Sequence, residues 1–285
     1  MQVLLRPGTP EDAASCGAIC FEAFKAIAAE HNFPWAFPSA EAAIGIMTKR
    51  LAHPRLYSVV AESGGKVLGS NFLDERGPIA GIGPITVDPA VQNQTIGRQL
   101  MFDVLARSAQ RGVPGVRLVQ STYNNRSLCL YTKLGFETRE LLSKLNGDPP
   151  DISFPGYQVR PAVQADISAC NALCRRVHGH HRDGELEDAV AQGAARVVEH
   201  LGEITAYATG IALSGHAVAE TNQGLEALIG AAPEFSRGGF LLPTRNAELF
   251  RWCLQHGLRL AQQMTLMTIG LYSEPEGAYL PSVLY

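Results

Sequence analysis

The sequence repeats itself, and the repeat limits the fold more than any other feature. Arg6–Cys20 (RPGTPEDAASCGAIC) aligns without gaps on Arg160–Cys174 (RPAVQADISACNALC), with six of fifteen positions identical. Each segment reads as a short strand, a turn and a helix. Asp12 and Asp166 fall near the helix start, where a carboxylate caps amide groups and meets the positive dipole end. A second match sets Asn124 on Asn246 and Gly135 on Gly257. In each, an Asn-started helix ends at glycine and a strand follows. From the opening Arg to this Asn there are 118 residues in the first copy (6 to 124) and 86 in the second (160 to 246), so the second has lost about thirty. Asn146–Gly156 (NGDPPDISFPG) is rich in Pro and Gly and reads as a linker. Two domains are expected, 1–147 and 157–285.

A chain of 285 residues is long enough for two ordinary domains, and 46% hydrophobic with 18% charged residues describes a packed globular protein. The net charge of −3 offers no general attraction to nucleic acid or to an anionic membrane, so an anionic ligand needs a local site. Arg6 and Pro7 interrupt the opening where a secretory signal would stay apolar, and a cytoplasmic location is expected. The apolar stretch Ile204–Val218 is too short for a membrane helix and reads as two buried strands with a turn. Cys16/Cys20 and Cys170/Cys174, spaced i,i+4 in helical patterns, read as small buried residues.

The first copy carries the richer pattern. Leu56–Glu62 and Lys66–Leu73 are strand-like and flank Gly64-Gly65, a hairpin signal. GIGPITVDP follows as a strand stopped by Pro89. Ile96, Leu100, Met101, Val104 and Leu105 then recur at helical spacing up to Gly112. Val116–Val119 and Phe136–Leu142 are further strands around the Asn-started helix, giving a mixed α/β (α+β) order without regular βαβ alternation. Gln92–Gly97 has the shape of an anion site, because amides of a first helical turn point outward and the macrodipole favours negative charge; Arg98 adds a cation. With one glycine it lacks the G-x-G-x-x-G of a dinucleotide fold, and the G-K-S/T of a nucleotide phosphate loop is absent.

These motifs resemble the GNAT superfamily of N-acyltransferases. The Q-x-x-G-x-G/A pyrophosphate loop after a V-x-P strand end corresponds to Val87-Asp88-Pro89 and Gln92-Asn93-Gln94-Thr95-Ile96-Gly97. The later N-x-x-S-x-x-x-Y-x-x-x-G-F element corresponds to Asn124, Ser127, Tyr131, Gly135 and Phe136. The resemblance covers about 1–145 well, and 157–285 through the repeat. It implies two tandem domains, each a mixed, mostly antiparallel, splayed sheet flanked by helices. It also implies acetyl-CoA or another acyl-CoA as cosubstrate, without a metal. The amides of Gln92, Asn93, Gln94, Thr95, Ile96, Gly97 and Arg98 would then meet the pyrophosphate. The strand Ile85, Thr86, Val87 would bond the pantetheine amides and supply an oxyanion donor, and Asn124 and Ser127 would touch the CoA arm. Thr95 departs from the pattern by replacing a glycine. A β-branched residue resists positive φ and keeps the backbone from a phosphate, so weaker binding is expected.

The implied reaction is acetyl transfer to a primary amine of a small molecule or a protein, with neither nucleic acid nor membrane as partner and no oligomeric state specified. The alternative is a non-catalytic acyl-CoA sensor or scaffold. On its residues alone Tyr131 reads as a tyrosine packed between Leu128 and Leu134; the resemblance makes it the general acid. The base stays open between water, Asp74 or Glu75, and the Tyr285 carboxylate, and His31 reads as structural. His31–Ser39 (HNFPWAFPS) shapes the acceptor pocket or is pinned to the core by its aromatics. In the second copy Glu220–Ala232 stands in place of the phosphate loop and Cys253 in place of the tyrosine, so that copy is expected to be catalytically silent. The segment Arg176–Arg182, with His178, His180 and His181, lacks the helical spacing of common metal sites and reads as a polar loop or domain contact.

Overall fold

The computed structural model describes residues 2–235 and 238–284, which divide into two compact units. Of these, the first comprises residues 2–75, 79–118 and 123–135, and the second 76–78, 119–122, 136–235 and 238–284.

In chain order the first unit begins with β1 (Leu4–Pro7), α1 (Ala13–Glu30), α2 (Ala40–Leu51), β2 (Leu56–Ser63) and β3 (Lys66–Asp74). There follow β4 (Ile79–Ile82), β5 (Thr86–Val87), α3 (Ile96–Gln110), β6 (Gly115–Ser121), whose residues 119–121 count with the second unit, and α4 (Asn125–Lys133). The sheet order is β1-β2-β3-β4-β6, antiparallel except for the parallel pair β4 and β6. Gly64 and Gly65 turn the β2–β3 hairpin with φ of 58° and 79°, the double positive φ that matches strand twist. GIGPITVDP is not one strand. β4 pairs with β6 as far as Ile82 and Leu118, then the chain leaves at Gly83-Pro84 and resumes as β5 on β3. Val60, Phe72, Met47, Cys16 and Cys20 pack as one core cluster, so the first cysteine pair is buried as expected.

The second unit contains β7 (Glu137–Asn146), β8 (Tyr157–Pro161), α5 (Ile167–His178), α6 (Asp183–Ala191), β9 (Arg196–His200) and β10 (Glu203–Ala208). These are followed by β11 (Ala217–Ala219), α7 (Asn222–Gly230), β12 (Phe240–Pro243), α8 (Ala247–Gln255), β13 (Arg259–Gly270) and β14 (Ala278–Leu280). One sheet runs β14-β11-β10-β9-β8, antiparallel throughout. A second ladder sets β7 between β12 and β13, both antiparallel to it. β7, which the sequence attaches to the first copy, is therefore built into the second unit.

The repeat is visible atom by atom. The Arg6 guanidinium holds both Asp12 carboxylate oxygens at 2.7 Å and Glu62 at 2.8 Å. Arg160 holds Asp166 at 2.7 and 2.9 Å, and Glu199 at 2.8 Å. The aspartates accept from the amides of Thr9 (2.9 Å) and Val163 (2.8 Å), capping the turn that leads into each helix. The capping expected of them is thus combined with an ion pair to the opening arginine.

Candidate active site

In the first unit the end of β5 and the start of α3 are tied into one loop. Asp88 N donates to Leu68 O at 2.8 Å, and the Asp88 carboxylate caps Ala90 N at 3.0 Å. Gln92 Nε2 reaches back to Val87 O at 3.2 Å. Asn93 and Thr95 both lie in the left-handed region, with φ of 66° and 63°. Thr95 is the residue preceding α3 and adopts the conformation that glycine would take there. The expectation that it resists positive φ meets a backbone that imposes it. A β-branched residue there stores of order 1 kcal/mol or more of strain, and its hydroxyl accepts from Gln99 Nε2 at 3.1 Å.

Three of the elements converge at Gly97. A Cβ there would stand 3.7 Å from Val87 of β5 and 4.0 Å from Leu130 of α4. The absent side chain therefore keeps a gap between strand edge, helix start and α4. β5 pairs β3 and no other described strand, so its second edge keeps peptide groups available. The first-turn amides of α3 have no partners within the helix. Open strand edge, gap and amide cradle together fit the amides and pyrophosphate of a CoA arm. Gln92 is half-buried, and Asn93, Gln94, Thr95 and Arg98 are exposed; Arg98 lies 5.4 Å from the centre of the Phe102 ring. The side chains of Ile96 and Thr86 are buried, so these residues can offer only backbone to a ligand; Ile85 precedes the bounds of β5.

Asn124 caps α4, its Oδ1 accepting from Ser127 N at 3.1 Å; Asn246 does the same for α8, accepting from Leu249 N at 3.3 Å. Capping explains the asparagine in both copies, whatever else Asn124 does. Ser127 and Tyr131 lie on one face of α4 at i and i+4. Burial pushes the Tyr131 phenol up to about 12, against the smaller opposing effect of a hydrogen bond with Ser127. At neutral pH it is therefore a protonated donor.

The candidate bases fare differently. Glu75 is spent on Arg107 (2.8 and 3.2 Å) and Arg111 (3.4 Å). Asp74 is the last residue of β3, in register with Gly81 of β4. Tyr285 lies outside the described residues. His31 bonds the Ile27 carbonyl through Nδ1 at 3.0 Å and packs on Tyr123. Phe33 stacks on Tyr123 at 4.2 Å, one residue before the α4 cap, while Phe37 and Trp35 pack edge-on to Phe24 and Phe21 of α1. The aromatic segment is thus pinned, yet Trp35 stays 54% exposed beneath the Lys25 ammonium, 4.6 Å from its ring.

Two residues escaped sequence reasoning. Tyr123 joins the aromatic segment to α4. Arg50, buried at the end of α2, donates to Gly83 O at 3.1 Å where β4 gives way to β5. In the sequence Lys49-Arg50 looks like an ordinary pair of cations at a helix C-terminus, so nothing singled it out.

In the second unit the connection from β11 to α7 is only Glu220-Thr221, against Asp88–Thr95 in the first copy. His178 and His180 are buried, and His178 lies 5.1 Å from the ring of His216. His181 pairs with Asp183 at 2.9 Å. Among the described residues no group of three His, Cys, Asp or Glu is placed to hold a metal ion, and no helix is long and apolar enough to cross a membrane.

The chain is similar to several known proteins. Mycothiol acetyltransferase of Nocardia farcinica is 36% identical over 75 residues, 25% of this chain and 25% of its own length. The D-amino-acid N-acetyltransferase of Saccharomyces cerevisiae is 40% identical over 52 residues, 18% of this chain and 32% of its own. The chain thus spans between a quarter and a third of these curated relatives. A protein from Pyrococcus horikoshii shares the fold with a TM-score of 0.73 at 19% identity, over 96% of this chain and 91% of its own. A tandem GNAT protein from the clavulanic acid biosynthesis pathway does so with 0.58 at 15%, over 94% and 98%. The model of the Acetyltransferase (GNAT) family matches residues 22–136, the stretch that holds β5, α3 and α4. The resemblance to the GNAT family is thus carried by residues 22–136.

Proposed function

We propose that the first copy transfers an acetyl group from acetyl-CoA to a primary amine of a small molecule or a protein. The observation that carries this reading is the meeting of β5, the start of α3 and α4 around the missing side chain of Gly97. The amides from Gln92 to Arg98 hold the pyrophosphate, the free edge of Ile85–Val87 bonds the pantetheine amides, and Asn124 and Ser127 border the arm. In the reaction the neutral amine forms a bond to the thioester carbonyl carbon while the carbon–sulfur bond breaks. A backbone N–H of the β5 segment stabilises the oxyanion, Tyr131 gives its proton to the leaving thiolate, and the proton lost by the amine returns to the phenolate through solvent, which offsets the weak acidity of the buried phenol. The relatives named for mycothiol and D-amino-acid acetylation support small amines as the first acceptors to try. The six free cysteines fit a reducing, cytoplasmic setting.

The test is calorimetric titration of the intact chain with acetyl-CoA, then CoA release with an amine and peptide panel. One site is expected, in the micromolar range, about −8 kcal/mol. Gly97→Glu fills the gap with a carboxylate and should abolish it. Binding without turnover on any acceptor would make the protein an acyl-CoA sensor, and absence of binding would leave a GNAT fold serving another task.

A further inference from the structure

The second copy keeps the strand that corresponds to β5 but not its open edge. Glu220 N donates to Thr205 O at 3.0 Å, as Asp88 N donates to Leu68 O in the first copy at 2.8 Å. One step back, Ala219 pairs with Ala206 and Val218 with Tyr207, as Val87 pairs with Gly69 and Thr86 with Ser70. Ala217–Ala219 is therefore the counterpart of Ile85–Val87. Its outer edge is occupied by β14, antiparallel, with Ala217 opposite Leu280, Val218 opposite Tyr279 and Ala219 opposite Ala278. β14 also packs beside β12, the counterpart of β6.

The segment is fixed along its whole length. Glu276 N donates to Val177 O at 2.8 Å before the strand, and Val283 N to Leu213 O at 2.9 Å after it. Ala278, Tyr279, Leu280 and Ser282 are at most 5% exposed. Gly277 lets the chain enter so close: its φ is 138°, and a Cβ there would stand 2.9 Å from Val177 and 3.0 Å from the Ala219 carbonyl oxygen. The neighbouring polar groups satisfy one another. Asn246 Nδ2 donates to Asn222 Oδ1 at 2.7 Å, and Asn222 Nδ2 to Glu248 at 2.9 Å.

We infer that residues 277–284 act as an internal surrogate for the pantetheine arm: the second copy is a strand-accepting slot filled by the chain's own polypeptide. An extended peptide and a pantetheine arm present the same chemistry to a strand edge, amide groups in line along a narrow chain. This rests on the reading of Ile85–Val87 as the pantetheine strand. It gives the second copy a structural task and supplies, besides the shortened 220–221 connection, a reason for the silence expected of that copy.

The test introduces a protease site into residues 271–276, which hold no regular element, and cuts the folded intact chain. The 277–285 peptide should stay bound through gel filtration. Its removal in mild denaturant and exchange back to buffer should lower Tm by about 5 °C or more. A synthetic 277–285 peptide should restore Tm at one equivalent, and the same peptide carrying Ala278→Pro and Tyr279→Pro, which cannot donate along the ladder, should not. An unchanged Tm after removal, or equal rescue by the proline peptide, overturns the inference. In the uncut chain, amides of 217–219 and 278–280 should exchange as slowly as those of β9 and β10; exchange within seconds overturns it independently of any cut. Acetyl-CoA titration of the uncut chain reads the proposed function separately, since its failure would leave the peptide rescue to stand or fall by itself.

Discussion

Thr95 shows how one residue can be legible in kind but not in consequence. The sequence marks a β-branched residue where glycine is usual, and the structure holds it at φ 63°. Thr95→Gly should relieve about 1 kcal/mol of left-handed strain, raising Tm and tightening acetyl-CoA up to about fivefold; a looser complex in calorimetry would show that the Thr95 hydroxyl contributes to the site. Tyr131 was legible as a residue with two readings, and its burial bears on both, since a packed phenol raised to about 12 holds its proton at neutral pH but is a weaker acid than an exposed tyrosine. Tyr131→Phe should lower kcat about 10- to 100-fold with little change in the KM for acetyl-CoA. In the parent protein the neutral phenol persists until pH rises through its raised value. The alkaline fall in rate from this group should therefore lie near the limit of the accessible range, and an alkaline limb near pH 8 that vanishes in Tyr131→Phe would contradict that assignment. Arg50 was not legible, because its carbonyl partner Gly83 is 33 residues away and no local pattern records the bond.

At the scale of elements, the strands and helices that carry local signals were readable: the Gly-Gly hairpin, the Asn-capped helices and the strand–turn–helix of each opening. The break between β4 and β5 was not, because β-branched residues run through GIGPITVDP and only the pairing of β4 with β6 and of β5 with β3 separates them. The opening motif has an energetic reason that the alignment alone does not give. The Arg6 guanidinium, then the Thr9 amide, hold the Asp12 carboxyl below its ordinary range, and the Asp12 side chain is only 8% exposed. A depressed carboxyl stabilises the fold above its unfolded value near 4, and the contribution disappears as pH falls through the lower folded value. Asp12→Ala should cost about 2 kcal/mol at pH 7, because it removes an ion pair and a cap and leaves Arg6 with Glu62 alone. The deficit should shrink in denaturant titrations as pH falls below the unfolded value near 4 and through the lower folded one, and a deficit independent of pH would mean that packing, not charge, fixes Asp12.

For the whole molecule, the repeat predicted two related copies, and residues 22–136 match the family. What the repeat could not show is which unit owns a strand. β7 follows α4 in the chain and looks like the last strand of the first copy, yet its ladder partners are β12 and β13. Pairing between segments so distant in the chain leaves no local trace, since alternation marks a strand but not its neighbour. The consequence is testable with a fragment. Residues 1–147 end in β7, whose two edges are both paired in the intact chain and would both be bare, with Leu142 and Leu145 losing their cover. Bare, apolar strand edges recruit other chains. The 1–147 fragment should therefore be aggregated or only partly folded by light scattering and circular dichroism, whereas the intact chain unfolds cooperatively. A monomeric, cooperatively folded 1–147 that binds acetyl-CoA as tightly as the intact chain would show that β7 needs neither partner. The second copy would then be required only for whatever its own slot holds.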